Sequence, residues 1–496
     1  MHLKRKTACV AGAGALVAAL GGLASLSAQG AAAVPTAGRV DVTAQEAAPA
    51  ARGGAVRWAA ARGAVVRVHP DIRHVGDVEK QPPTTAGCEA AFAVACFEPG
   101  QVEQAYNLWP LYRQGVGGQG STIVIVDAFG SPTIRQDLSF FDKTFGLPGP
   151  ASFKIIRPAG AVHFDSSDPD DLGWASETSL DVEYAHTIAP YANILLVETP
   201  APENEGATGF PQIVQAEQYA IDHYDADVIS QSFGATEKTF PSEASVEALR
   251  GAYRDAYRHD VTVLAASGDS GAADVGINGS TYYLSPVTDW PASDPLVTGV
   301  GGTQLHLNAS GNHTSPDTAW NDTDSMATNK FIFGGYGPNP LASGGGVSEL
   351  FGRPFYQDDV RHEVGESRGV PDISMSAACN GAVDVYMSVT GLSPGWYPTC
   401  GTSEATPLFA GIVALAAQWA GQPLGLINPA LYRIYEDELP GIVNVTSGNN
   451  TVSFFQDGTL QTVQGYNAWD HYSTVTGVGT VNGALFVPEL ARFAGY

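Results

Sequence analysis

The sequence predicts an α/β fold in which a doubly wound, mostly parallel β-sheet carries helices on both faces. One observation is a set of short apolar runs with the length of buried strands: Ser121–Asp127, Asn193–Glu198, Ala226–Ser230 and Val261–Ala266. The other is a set of helix-like stretches that alternates with these runs: Trp174–Ile188, Pro211–His223 and Glu243–Arg258. Such alternation is typical of parallel sheets that are covered on both sides. These sheets bind ligands at the carboxyl ends of their strands, so polar residues there are the candidates for a site. The glycine-containing, loop-rich region from about residue 270 to 370 is expected to line the cleft.

The first 34 residues have the pattern of a secretory signal. A basic start that includes Lys4 and Arg5 precedes an apolar run of small residues from Ala8 to Leu26, and Ala31 to Ala33 offers a cleavage site. A retained membrane anchor is the alternative, but the run is rich in Gly and Ala. We therefore expect an exported, soluble, extracellular protein with a signal peptide over residues 1–34.

The cysteine content agrees with export. One of the five cysteines, Cys9, lies in the predicted signal, and four remain: Cys88, Cys96, Cys379 and Cys400. Four cysteines allow three connectivities, and an even number in an exported chain favours disulfides. The pairs Cys88–Cys96 and Cys379–Cys400 close the shortest loops and are preferred. A metal site is the alternative, but no CxxC or CxxH spacing supports it.

The charge balance limits the partners. The chain has 51 Asp and Glu against 25 Lys and Arg, for a formal net charge of -26. A surface this acidic disfavours nucleic acid and anionic membranes as partners, and we expect a monomer. Residues 35–97 form a separate basic N-terminal segment, with arginines at positions 52, 57, 62 and 67. That segment is either a flexible spacer or a short pro-segment that docks on the acidic body, residues 98–496.

A candidate nucleophile lies late in the chain. Gly401 and Thr402 precede Ser403, and Pro407 follows at the start of a small, apolar helical run. A serine at a glycine turn before a helix presents its hydroxyl at the helix N-terminus, where backbone N–H groups and the helix dipole can meet an oxyanion. The alternative is an ordinary helix cap.

The base is the first open question. Asp127 at the end of the first strand and Ser403 near the end of the chain match the chain order of subtilisin-type Asp-His-Ser enzymes. The histidines fit poorly, because neither His163, in an Asp-rich loop, nor His186, near a helix end, has a His-Gly-Thr context.

A carboxylate base is the second possibility. Glu177 and Asp181 are four residues apart on a predicted helix and therefore share a face. A solvated acidic face is the alternative, which Glu183 and Asp170 favour, but the neighbouring apolar residues place the helix against a core. Glu177 would take the proton of the serine while Asp181 orients it, and a pKa near 4–5 for such a glutamate suits acidic operation.

A third carboxylate follows a buried strand. Asp269 lies in the turn Ser267–Gly271. It is either a simple turn residue or, in its protonated form, a hydrogen-bond donor to an oxyanion.

These residues resemble the motifs of the sedolisins, the serine-carboxyl peptidases. Supporting stretches occur in the same order from about residue 98 onward: Ser230–Gly234, Pro291–Gly302, Gly344–Ser348, Arg368–Ser374 and Asn428–Tyr432. The resemblance implies a subtilisin-like fold, peptide-bond hydrolysis and an acid optimum. It assigns Ser403 as the nucleophile, Glu177 as general base and acid, Asp181 as its partner and Asp269 as the oxyanion donor.

The chain departs from the family in two places. Sedolisins usually carry a large prodomain, whereas about 60 residues separate the predicted signal from the catalytic body here. The family's calcium site uses an aspartate turn and a later aspartate loop, but this chain has Asn444 and Val445 in the first and Ser473 in the second, with Asp470 as a fallback ligand. We therefore expect an absent or degraded calcium site and no other cofactor.

The sequence thus predicts a secreted, acid-active serine-carboxyl endopeptidase that acts on proteins or peptides. A histidine-based subtilisin-type peptidase and a non-catalytic secreted binding protein on the same fold are the alternatives. Endopeptidase and tripeptidyl-peptidase activity are not separated by the sequence.

Overall fold

The main sheet has eight strands, of which seven run parallel. The computed structural model describes residues 73–75, 78–335 and 337–494. Within them the strand order is β11-β10-β8-β6-β3-β5-β4, with β14 paired in parallel to β10 and β11 antiparallel at one edge. The strands are β1 Arg73–His74, β2 Cys96–Phe97, β3 Thr122–Ala128, β4 Ser152–Ile156, β5 Asn193–Thr199, β6 Val228–Gln231, β7 Ala235–Thr236, β8 Thr262–Ala266, β9 Asp289–Trp290, β10 Thr298–Gln304, β11 Thr318–Ala319, β12 Gly346–Gly352, β13 Ser367–Val370, β14 Ile373–Ser376, β15 Ala382–Met387, β16 Gly395–Cys400, β17 Ile442–Val443, β18 Val452–Gln456, β19 Thr459–Val463 and β20 Thr480–Val481.

The helices flank this sheet and its connections. They are α1 Thr85–Phe92, α2 Pro99–Ala105, α3 Trp109–Tyr112, α4 Ile134–Phe145, α5 Pro169–Ile188, α6 Phe210–His223, α7 Glu243–Glu247, α8 Gly251–Arg258, α9 Met326–Phe333, α10 Arg361–Val364, α11 Thr402–Ala420, α12 Asn428–Glu436 and α13 Gly483–Phe493. None of the helices in the described residues is long and apolar enough to cross a membrane.

Strand β3 shows why both faces of the sheet are covered. Ile123 and Ile125 point into one apolar core, which α5 and α11 share, while Val124 and Val126 point into another, which α6 and α8 share. Successive residues of a strand face opposite sides, so a strand that is apolar at every position needs a helix layer on each side. The predicted α/β fold with a mostly parallel sheet and helices on both faces is confirmed.

Two helices of the first core lie unusually close together. Every residue of α5 from Trp174 to Ile188 is buried, as is every residue of α11 from Thr402 to Ala417. A side chain at Gly411 would collide with Ile188. The glycine therefore lets the two helix backbones approach each other directly.

The predicted elements are found with small shifts, and one helix differs. The stretch Glu243–Arg258 is divided into α7 and α8. Between them Leu249 turns into the core, and Arg250 forms an ion pair with buried Asp294, with 2.6 Å between Nε and Oδ2. These tertiary contacts and the low helix propensity of Gly251 account for the break.

A second sheet supports the approach to Ser403. Its strand order is β1-β16-β15-β2, and β16 ends at Cys400. The disulfides Cys88–Cys96 and Cys379–Cys400 are both present, as predicted. The predicted signal over residues 1–34 and the four arginines from Arg52 to Arg67 lie outside the described residues. The described part of the segment 35–97 contributes β1, α1 and β2, and the boundary at residue 98 stays a prediction.

Candidate active site

Ser403 lies in the first turn of α11 and is 2% exposed. The preceding Gly401 has a φ of 133°, and a side chain there would collide with Oδ2 of Asp269. Only glycine combines this backbone angle with so close a contact. The glycine turn therefore brings the start of α11 against Asp269.

The proline of the Ser-x-x-x-Pro pattern has a specific local effect. Pro407 has no N–H, so the carbonyl oxygen of Ser403, four residues earlier, receives no helical hydrogen bond from it. The Ser232 hydroxyl lies 3.3 Å from that oxygen and can donate to it. The backbone of Ser403 thus contacts the loop after β6.

Helix α5 brings Glu177 and Asp181 to the same place. Both carboxyl groups are fully buried. Burial is the main reason why the pKa of Glu177 is raised well above its ordinary value, and the charges of Asp127, Asp269 and Glu203 raise it further. The Ser403 hydroxyl is close enough to oppose this rise, yet neither oxygen of Glu177 has a fully formed hydrogen bond with the described residues. Such contacts are often loose until a substrate is bound.

Asp181 is held on its other side. Its Oδ1 lies 2.9 Å from the Ser232 hydroxyl. Burial raises the pKa of Asp181 well above its ordinary value, and so do the nearby Asp127 and Glu177. The pair Glu177 and Asp181 therefore favours a state in which a proton is retained.

Asp127 joins this group from the end of β3. Burial raises its pKa to about 7, and the charge of Glu198 acts in the same direction. The sequence placed Asp127 only in a histidine-based triad, but the structure brings it to the carboxylate pair. The signal for this was its position at the carboxyl end of a central parallel strand.

Asp269 faces the start of α11. Its Oδ1 accepts hydrogen bonds from the N–H and the hydroxyl of Thr402, both at 2.7 Å. One backbone N–H that the sequence offered to an oxyanion is thus taken by Asp269. The aspartate is 2% exposed and lies beside the nucleophile.

The two histidine candidates lie elsewhere. His186 is buried with its Nε2 at 2.7 Å from the Pro148 carbonyl oxygen and 3.2 Å from Asp142 Oδ1. His163 is exposed before α5. Neither bonds to Ser403 within the described part of the chain, so the geometry joins the serine to carboxylates.

A pocket of ≈ 150 Å³ opens beside Ser403. It is lined by the nucleophile, by Ser232 and Gly268, and by four acidic residues, Glu203, Glu205, Asp274 and Asp289. Arg73 at the start of β1 reaches the same pocket. Sequence reasoning did not single out Ser232, which contacts both Asp181 and Ser403. It occurs in the quoted stretch Ser230–Gly234, directly after the end of β6.

The residues of the family's calcium site do not supply its anionic ligands here. Ser473 bonds within its own turn, with 3.1 Å between its Oγ and Oγ1 of Thr476. Asn444 and Asp470 are exposed and Val445 is buried. In the residues that the structure describes, no group of three His, Cys, Asp or Glu side chains is arranged to hold a metal. The donor set does not fit calcium, and the predicted loss of this site stays a prediction.

Comparison with known proteins gives consistent results. The model of the "Subtilase family" matches residues 168–431, more than half of the chain. Kumamolisin from Bacillus sp. (strain MN-32) is 30% identical over 404 residues, which cover 80% of this chain and 64% of that protein. Tripeptidyl-peptidase 1 from Homo sapiens is 29% identical over 62% of this chain and 50% of its own length. This chain therefore spans between half and two thirds of the length of these relatives.

A solved structure agrees with the fold. Pseudomonas sedolisin, a serine-carboxyl proteinase complexed with two molecules of pseudo-iodotyrostatin, matches with a TM-score of 0.64 at 25% identity. The match covers 80% of this chain and 99% of that one. The chain belongs to the subtilase family, and within that family it is similar to the sedolisins.

Proposed function

We propose that the protein is an exported serine-carboxyl endopeptidase that hydrolyses peptide bonds in proteins or peptides under acidic conditions. The observation that carries this proposal is the position of Ser403 at the start of α11, beside the buried carboxyl groups of Glu177 and Asp181. The four residues that the sequence singled out, Glu177, Asp181, Asp269 and Ser403, act together in this reaction.

In the first half of the reaction, Ser403 Oγ attacks the carbonyl carbon of the substrate. The hydroxyl proton passes to ionised Glu177, while Asp181 keeps its own proton and holds Glu177 in place. The C–N bond then breaks, and Glu177 gives its proton to the leaving amine, so that an ester on Ser403 remains.

In the second half, water attacks the ester. Glu177 takes a proton from the water and returns it to Ser403 Oγ as the C–O bond breaks and the acid product leaves. In both halves the carbonyl oxygen becomes an oxyanion, and protonated Asp269 donates a hydrogen bond to it.

The pH dependence follows from these protonation states. Activity needs ionised Glu177 together with protonated Asp181 and Asp269, so the rate rises as Glu177 loses its proton and falls as either aspartic acid loses its own. Because burial raises the pKa of Glu177, the acid limb lies above the value of 4–5 that the sequence alone suggests. We expect a maximum at weakly acid pH.

The remaining expectations concern the whole protein. Residues 1–34 act as the signal, residues 98–496 form the peptidase domain, and the protein works as an extracellular monomer. The two disulfides suit such a location. Activity is expected to be insensitive to calcium chelators.

The test is hydrolysis of a denatured protein from pH 2 to pH 9, with Ser403→Ala alongside. We expect an acid maximum and a loss of at least about 10⁴-fold in the variant, since the serine forms the covalent intermediate. Mass spectrometry of the products distinguishes internal cleavage from release of tripeptides. An alkaline maximum, or a Ser403→Ala variant with full activity, would refute the proposal.

A further inference from the structure

The backbone carbonyl of Ser403 lacks the donor that a regular helix would supply four residues later. Pro407 has no N–H to give to the Ser403 carbonyl oxygen, and the Ser232 hydroxyl lies 3.3 Å from it. Ser232 and Ser403 are both buried. A buried carbonyl without a donor is costly, so the contact with Ser232 has a structural reason.

The same hydroxyl also contacts the carboxylate pair. Ser232 Oγ lies 2.9 Å from Asp181 Oδ1 and 3.3 Å from the Ser403 oxygen. A hydroxyl has one proton and can donate to only one of these acceptors at a time. The two contacts can both be hydrogen bonds only when Asp181 is protonated. Asp181 then donates to Ser232 Oγ, and Ser232 donates to the Ser403 carbonyl oxygen.

We propose that Ser232 is a positioning residue that couples the protonation of Asp181 to the backbone of the nucleophile. With Asp181 protonated, the chain of donors runs from Asp181 to Ser232 and on to the Ser403 carbonyl oxygen, which fixes the first turn of α11. When Asp181 ionises, the Ser232 proton turns to its carboxylate and the Ser403 carbonyl loses its donor. This inference rests on the proposed function, because it assigns a role within that same site.

The surroundings of Asp181 support retention of its proton. Glu177 on the same helix and Asp127 at the end of β3 both face it and disfavour a second negative charge. Asp269 and Glu203 act on Glu177 from the other side of the site. Burial and the neighbouring carboxyl groups raise the pKa of both members of the pair, so the coupling operates while the group retains protons and fails as it becomes fully ionised.

The test uses four variants and one matched control. Ser232→Ala removes the hydroxyl, while Ser232→Thr keeps it and Ser232→Val has the shape of threonine without it. Ser230→Ala is the control, because Ser230 lies two residues earlier in β6, is also buried, and has a hydroxyl without a hydrogen-bond partner among the described residues. Ser403→Ala tests the proposed function itself. For each, kcat and KM on one peptide are measured from pH 3 to pH 8, together with thermal unfolding.

We expect Ser232→Ala and Ser232→Val to lower kcat about tenfold, a typical effect of one misplaced hydrogen bond, with KM nearly unchanged. Loss of the Ser232 hydrogen bond raises the pKa of Asp181 further, so the alkaline limb of kcat moves to higher pH in both. Ser232→Thr is expected to have the kcat and the alkaline limb of the wild type. Ser230→Ala is also expected to match the wild type in both quantities.

Equal kcat in Ser232→Ala and Ser230→Ala would overturn the inference while leaving the proposed function intact. The Thr and Val pair decides the matter if Ser232→Ala fails to fold, since equal rates in that pair contradict a role for the hydroxyl. Full activity of Ser403→Ala would instead remove the proposed function, which is a different outcome.

Discussion

Helix α5 carries buried acidic groups at two places, and their surroundings differ. In the middle, Glu177 has no fully formed hydrogen bond with the described residues, and Asp181 has one, from Ser232. Toward the carboxyl end, Glu183 Oε2 accepts the N–H of Tyr386 at 3.0 Å. Nearby His186 lies 3.2 Å from Asp142.

The two places have equal burial and different numbers of donors. Asp137, which acts on Glu183, accepts hydrogen bonds from both the N–H and the hydroxyl of Ser388. Hydrogen-bond donors of this kind stabilise the charged form of a buried carboxyl group. A carboxylate left without them keeps its capacity to exchange a proton with an incoming group. Glu177 and Glu183 are equally buried on the same helix, and they differ in that Glu183 accepts a backbone N–H whereas neither oxygen of Glu177 has a formed hydrogen bond with the described residues.

The largest expected effect is a difference in activity between variants at the two places on α5. We expect Glu177→Gln to lower kcat/KM by about 10³-fold, in the range for loss of a general base. Glu183→Gln is expected to stay within about threefold of wild type, because Glu183 lies outside the site. Peptide hydrolysis at the optimum pH measures both. Equal losses in the two variants would break the comparison.

Glu183→Gln is expected to act on stability instead. Burial raises the pKa of Glu183 well above its ordinary value. The unfolded chain then loses this proton at lower pH than the folded one, so wild-type stability falls as pH rises above the unfolded value. The variant lacks this loss and should gain in unfolding temperature, relative to wild type, between pH 4 and pH 7. A gain that is independent of pH would contradict this account.

Glu217 on α6 is a buried acid outside both places, and it tests how burial of an acid affects the pH dependence of stability. Its Oε1 accepts a hydrogen bond from Gln231 Nε2, and burial raises its pKa to about 8 from an ordinary value of 4.5. Between these values the unfolded state binds fewer protons, so stability falls with pH. Glu217→Gln should therefore gain about 3 kcal/mol relative to wild type between pH 4 and pH 7. Denaturant unfolding at the two pH values measures this, and an equal effect at both would refute it.

The smallest expected effect concerns Asp127. Its charge raises the pKa of both Glu177 and Asp181. Burial raises the pKa of Asp127 to about 7, so the group is charged only toward neutral pH. Asp127→Asn removes the repulsion there, so the alkaline limb of the kcat/KM profile, where Asp181 loses its proton, should move to lower pH by up to about one unit. Asp142→Asn serves as the control, because Asp142 acts on Glu183 and not on the pair. A limb that moves upward, or not at all, would show that Asp127 is not coupled to the pair.

The sequence predicted strands β3, β5, β6 and β8 and missed other strands of the main sheet, among them one whose residues are mostly small. Strand β10, Thr298–Gln304, contains three glycines and was expected to lie in a loop-rich region. Side chains at Gly301 and Gly302 would collide with Pro371 and Trp320, so the small residues that hide the strand are required by close packing around it.

The site divides in a similar way. The four-residue spacing of Glu177 and Asp181 is a local property of a helix and could be predicted. The meeting of Ser232 with Asp181 and the Ser403 carbonyl depends on residues 51 and 171 positions apart in the chain. No pattern within a single element encodes such contacts, and only the order of motifs along the chain pointed to them.

The direct contact between Gly411 and Ile188 has a consequence for inactivation. It joins the helix that carries the nucleophile to the helix that carries the carboxyl pair, inside one apolar core. The two halves of the site cannot separate unless that core opens, so no loop movement or fraying end disconnects them. Backbone amides of both helices should then exchange with solvent only through global unfolding, and the loss of activity on heating should coincide with the melting of the whole domain.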